Sequence, residues 1–102
     1  MSNLSLDPYI VDILMPDLVG HDRRPAAFIV YLFLVRASAH AGRDTVSVSL
    51  QTIATKTGLS KSTVQAAIRH LHGRRLLDPA IVATVKNPRR RVLRPWGRSP
   101  HQ

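Results

Sequence analysis

The chain has 102 residues, one domain's worth, and 44% of them are hydrophobic, enough for a modest core. Fifteen Lys and Arg against six Asp and Glu leave a formal net charge of +9, which draws a domain toward polyanions, nucleic acid first and an anionic surface second. The absence of cysteine excludes disulfides, thiolate metal sites and thiol nucleophiles, and fits a reducing, cytoplasmic setting.

In chain order, Met1 to Asp7 is polar and mixed, without the basic stretch and apolar core of a secretory signal, and Met1 to Ser5 is expected to fray. Asp7 is placed to cap a short helix with Pro8 at its first position and Ile10, Val11, Ile13 and Leu14 as apolar surface. Pro16 should end or break that helix. The link from Asp17 to Arg24 contains Gly20, and Asp22 stands where it could cap the next element. Residues 1–24 therefore read as an N-terminal arm.

Pro25 to about Ala39 is the strongest helix pattern, with Pro25 at its start, Arg36 and His40 near its end and Gly42 as a stop. The run Phe28-Ile29-Val30-Tyr31-Leu32-Phe33-Leu34-Val35 is apolar almost all round, so this helix must be covered on several sides. The apolar stretch Ala26 to Val35 is too short to span a bilayer, and no membrane partner is expected. Arm and helix together carry more apolar surface than one free arm should. That predicts a homodimer through the N-terminal arm and helix 25–39, with packing of the arm on its own domain as the alternative.

Thr45 to Ser49 alternates polar and apolar residues and reads as a short edge strand. Ser49 should cap a helix over Leu50 to Thr57, which Gly58 ends; Ser60 should cap another from Lys61 to about His72. The β-branched run Ile81-Val82-Ala83-Thr84-Val85 reads as a strand, Lys86 to Arg89 as a turn, and Arg90 to Arg94 as its hairpin partner. Residues 95–102 read as a basic, flexible tail. The predicted class is mainly α with a small β-hairpin (α+β).

The helix from Lys61 divides cleanly. With about 100° per residue, Val64, Ile68 and Leu71 share one side, Ser62, Ala66 and Arg69 lie opposite, and Lys61 and Gln65 flank them. No acidic residue occurs between Lys61 and Arg75. Small side chains near the start of this face would let it enter a DNA major groove about 12 Å wide.

The segment Ser49-Leu50-Gln51-Thr52-Ile53-Ala54-Thr55-Lys56-Thr57-Gly58-Leu59-Ser60-Lys61-Ser62-Thr63-Val64-Gln65-Ala66-Ala67-Ile68, continuing through Arg69 to Leu77, resembles a winged helix-turn-helix of the GntR and MarR bacterial regulator kind. The resemblance covers Pro25 to about Leu93. It implies a three-helix core plus wing over residues 25–94, a recognition helix at 61–72 in the major groove, and double-stranded DNA as partner. The family pattern usually has Gly in the link before the final Leu-Leu pair. Here Gly73 comes earlier and Arg74-Arg75 directly precede Leu76.

Ser60, Ser62 and Thr63, with the helix-start amides, suit phosphates or base edges. Gln65 matches adenine, Arg69 guanine or phosphate, Ala66 a thymine methyl, and Lys61 the backbone. Lys86, Asn87, Arg89, Arg90 and Arg91 form the basic wing, directed at the minor groove or flanking phosphates.

His70 and His72 are two apart and point to different sides of a helix. Asp17 and His21 are four apart, but Gly20 argues against a regular helix there. No metal motif, catalytic nucleophile with its base, or phosphate loop occurs, so neither metal, cofactor, catalysis nor a small-molecule site is expected. The expectation is a cytoplasmic, nucleoid-associated, sequence-specific transcriptional regulator. A plasmid or phage replication or partition protein, and a winged-helix module for protein or RNA, are the alternatives.

Overall fold

The computed structural model describes residues 4–97. The N-terminal arm is helical from Pro8. The Asp7 carboxylate accepts the Tyr9 N–H at 2.9 Å, as a cap should. Contrary to expectation, Pro16 does not break the arm. It continues as two π-helical stretches, Ile10–Leu14 and Pro16–His21, with Met15 N–H reaching the Ile10 carbonyl and Asp22 N–H that of Asp17. The reason lies in packing. Ile10, Leu14 and Leu18, each four residues on from the last, are all buried in the domain's own core. Burying such side chains is worth roughly 1.5–3 kcal/mol each, against the one donor that proline withholds.

Helix α1 spans Pro25–Ala41 and ends at Gly42, whose φ of 74° is the left-handed stop that glycine takes without strain. Asp22 does not cap it. Arg24 is the cap residue, no side chain closes the first turn, and Asp22 turns instead toward the third helix. The central position predicted for α1 is realised: it packs against the arm, both later helices and the first strand. Ala27, Phe28, Val30, Tyr31, Leu34 and Val35 are buried along it. The buried Ser38 hydroxyl donates to the Val35 carbonyl at 2.9 Å, and the Tyr31 hydroxyl donates to the Leu93 carbonyl at 2.8 Å.

Strand β1 (Thr45–Ser47) leads into α2 (Leu50–Thr57), then α3 (Lys61–Gly73), then β2 (Arg89–Arg91). β1 and β2 pair antiparallel, Thr45 with Arg91, Val46 with Arg90 and Ser47 with Arg89. On the other edge of β2, Leu77 bridges Val92, Asp78 N–H donates to the Arg91 carbonyl and Leu93 N–H to that of Leu76, both at 3.0 Å. These bonds overturn the expected strand at Ile81 to Val85. The partner of the returning chain is Leu76 to Asp78, and residues 79–88 form a loop beyond it. At its start Asp78 diverts the chain, accepting the Ala80 N–H on its carboxylate and the Ile81 N–H on its carbonyl. Val82 and Val85 lie 76% and 99% exposed, so their β propensity finds no surface to pack on.

The start of the arm is also tied to the segment after β2. Trp96 stacks on Tyr9 with ring centroids 4.6 Å apart, and its indole N–H donates to the Asp7 carboxylate at 2.9 Å. The tail predicted from residue 95 is thus anchored through Trp96; its remainder, 98–102, and residues 1–3 of the stretch Met1 to Ser5 expected to fray lie outside the described residues. Among the described residues no helix is long and apolar enough to cross a membrane.

Candidate nucleic-acid interface

Two helices and the turn between them set the geometry. The Ser49 hydroxyl accepts the Thr52 N–H at 3.0 Å and opens α2; Gly58, at φ 81°, closes it and returns its N–H to the Ala54 carbonyl. The Thr57 hydroxyl donates to the Ile53 carbonyl at 2.7 Å and accepts the Leu59 N–H, which stiffens the turn. Ser60 then accepts the Thr63 N–H at 3.1 Å and starts α3. A cap of this kind is worth about 1 kcal/mol. Its hydroxyl also meets those of Thr63 at 2.8 Å and Ser62 at 3.3 Å.

α3 presents the two faces its periodicity predicts. Val64, Ala67, Ile68 and Leu71 are buried, while Ser60, Lys61, Ser62, Gln65 and Arg69 are exposed and Thr63 and Ala66 are half-buried. One flank, at Lys61 and Gln65, borders a cleft of about 500 Å³ whose other walls are the start of α2 (Ser49, Leu50, Gln51), the loop residues Ala83 to Val85, and Pro88 with Arg90. The loop is therefore folded toward the exposed side of α3. Its tip is held by Thr84 and Asn87, whose backbone and hydroxyl groups exchange two bonds of 3.0 Å. The other flank, at Ser62, Thr63 and Ala66, borders a groove of about 340 Å³ shared with Arg23, Arg24 and the first turn of α1.

Of the basic loop residues, Lys86, Asn87, Arg89 and Arg91 are exposed. Arg90 is not. It is 7% exposed, and one of its terminal nitrogens donates to the Val48 carbonyl and, at 3.1 Å, to that of Pro88. Its Nε, also buried, has no partner, and burial lowers the guanidinium pKa. Strand alternation is the cause: β2 shows Arg89 and Arg91 outward and the middle residue inward. Arg90 joins loop, strand and the entry to α2 and, unlike Arg89 and Arg91, does not stand out as an exposed cation.

At the far end of α3 the expected irregular link proves ordered. The arm's turn brings the potential ligand atoms of Asp17, His21 and Asp22 within 4.8 Å of one another, and side chains at the end of α3 reach these carboxylates. Arg74 pairs with Asp17 and, at 3.1 Å, with Asp22, while His70 meets Asp22 at 2.7 Å. Hydrogen bonds from His21, then His70, hold the Asp22 carboxyl below its ordinary pKa. His70 and His72 do diverge: His72 is half-buried elsewhere, and that burial lowers its pKa. Beyond Gly73, Arg75 occupies a left-handed position at φ 58°, a conformation that glycine takes most readily.

Arg23 and Arg24 border the α3 face but were not singled out from sequence. Only folding places these two there, since Ser62, Thr63 and Ala66 are distant from them in the chain. A family model described as helix-turn-helix domain matches residues 24–77, which span α1, β1, α2 and α3. Comparison with curated proteins and with solved structures gave no match.

Proposed function

The chain belongs to the helix-turn-helix domain family, and from that premise we propose that it is a sequence-specific duplex-DNA-binding transcriptional regulator of the bacterial kind, working in the cytoplasm on the nucleoid. The observation that carries this reading is the exposed side of α3. It bears hydroxyls, an amide and two cations, it has no acidic residue between Lys61 and Arg75, and the buried side is wholly apolar. That face enters the major groove. Gln65 and Arg69 read base edges, Ala66 meets a methyl group, and Ser62, Thr63 and Lys61 bond phosphates or nearby edges. Ser60 acts through the cap that aims the first amides of α3. Lys86, Asn87, Arg89 and Arg91 follow the adjacent minor groove or its phosphates.

The protein works as a two-fold dimer in this proposal, matching two half-sites. Ile10 and Leu14 serve the domain's own core, so the surface offered to a partner is Val11, Ile13, Met15 and Val19 of the arm with Ile29 of α1, all exposed. Control of plasmid or phage replication or partition would use the same face in the same way. Selection of bound sequences from a random duplex pool tests the proposal. Recovery of a defined motif, with binding that weakens steeply as salt rises, supports it. Recovery of no motif, or preference for RNA or an acidic protein, refutes it.

A further inference from the structure

The expected interface comprised α3 and the loop that follows it. The structure adds a cationic edge on the opposite flank. About 100° per residue sends Lys61 and Gln65 to one side of α3 and Thr63, Ala66 and Ala67 to the other. The first side faces the loop. The second faces Arg23 and Arg24, across a groove floored by Ser62, Thr63 and Ala66.

We propose that Arg23 and Arg24 are a second phosphate-contact site, gripping the DNA backbone on the side of α3 away from the loop. The proposal rests on the DNA-binding reading of α3 and extends it to a segment outside the helix-turn-helix proper. Both side chains are exposed, and no acidic residue lines the groove with them. The backbone beneath them is fixed. Asp22, the residue before the pair, is bonded to His70 of α3 and to Arg74, the residue that caps its end. Arg24 N–H donates to the Leu18 carbonyl at 2.7 Å, and Arg23 takes a left-handed turn at φ 56°. An arginine pair anchored in this way contacts a phosphate with little loss of backbone freedom. The starts of α1 and α3 open on the same groove and add their favourable dipole ends. Backbone contacts on both flanks would fix how α3 sits in the groove, which is what positioning contacts do.

The test uses the full chain and a mixed-sequence DNA duplex, with affinity measured by fluorescence anisotropy at several salt concentrations. In the double variant Arg23→Gly/Arg24→Ala, glycine suits the left-handed position, so folding should survive; circular dichroism checks it. The expected result is a logarithmic salt slope shallower by about 1.8, that is about 0.9 for each phosphate no longer neutralised, and affinity weaker by roughly tenfold or more at 0.1 M salt. Arg23→Lys/Arg24→Lys should keep most of the slope, because a phosphate accepts either cation. Parent-like slope and affinity in the Gly/Ala variant would overturn the inference while leaving the DNA-binding reading intact. A parent chain that does not bind the duplex at all would overturn both.

Discussion

Helix α3 and the loop after it are both basic, and both were expected to meet DNA, yet their side chains are sorted by different rules. On α3 the sorting follows the helical turn: apolar residues go in, and every cation from Lys61 to Arg69 stays out. In the loop the three consecutive arginines enter a strand, and alternation takes the middle one inside, where it bonds the Val48 and Pro88 carbonyls. A run of like charges is thus no guide to a binding surface until the local period is known. Substitutions that separate inward from outward residues test this contrast.

The largest effect is expected from Leu71→Ala, which empties a fully buried site under α3. Truncating a core leucine costs about 2–5 kcal/mol, read as a lowered denaturation midpoint. A loss well under 1 kcal/mol would mean that the inward face is wrongly placed. Arg90→Ala comes next. It removes charge-assisted bonds to two carbonyls and should cost roughly 1.5–3 kcal/mol of stability, as followed by urea unfolding. Were its stability unchanged and only DNA affinity reduced, Arg90 would belong with its neighbours after all.

Gln65→Ala and Arg69→Ala should each leave the fold intact and reduce discrimination at particular base pairs by roughly 1–3 kcal/mol. Binding measured against single-base variants of the selected site gives the answer. Uniform weakening on every sequence would make these residues positioning contacts. Smallest in stability terms is Arg89→Ala with Arg91→Ala, expected to stay within about 0.5 kcal/mol of the parent. The salt slope should nevertheless flatten by about 0.9 for each phosphate that the loop ceases to reach. An unchanged slope would take the loop out of the interface.

How far these features could be read in advance follows from the range of the interactions that make them. The α2–turn–α3 unit was legible because its determinants are local: Ser49, Gly58 and Ser60 act within four residues, and the apolar spacing of Val64, Ile68 and Leu71 repeats within one helix. The loop was not legible, because Ile81 to Val85 has strand propensity but Leu76 to Asp78 already occupies the free edge of β2. The arm's passage through Pro16 was hidden for a similar reason, since only the core that receives Ile10, Leu14 and Leu18 makes the continuous helix worth forming. Arg23 and Arg24 adjoin α3 across some forty residues of chain, a proximity no local pattern encodes. Arg90 stands between these cases: alternation was visible, but its phase depended on the register of Thr45 to Ser47 with Arg91 to Arg89.

The Tyr9–Trp96 stack gives the molecule a built-in optical reporter. Trp96 is the chain's sole tryptophan, and it sits against the start of the arm, stacked on Tyr9 with its indole N–H on the Asp7 carboxylate. Its emission therefore monitors the docking of Asp7 and Tyr9 on Trp96. Local opening of the arm would expose the indole to water and change the signal while α2 and α3 kept their helical content. Fluorescence and circular dichroism recorded along one unfolding curve thus report on two different parts of the protein, and any gap between the two transitions measures how independently the arm comes undone.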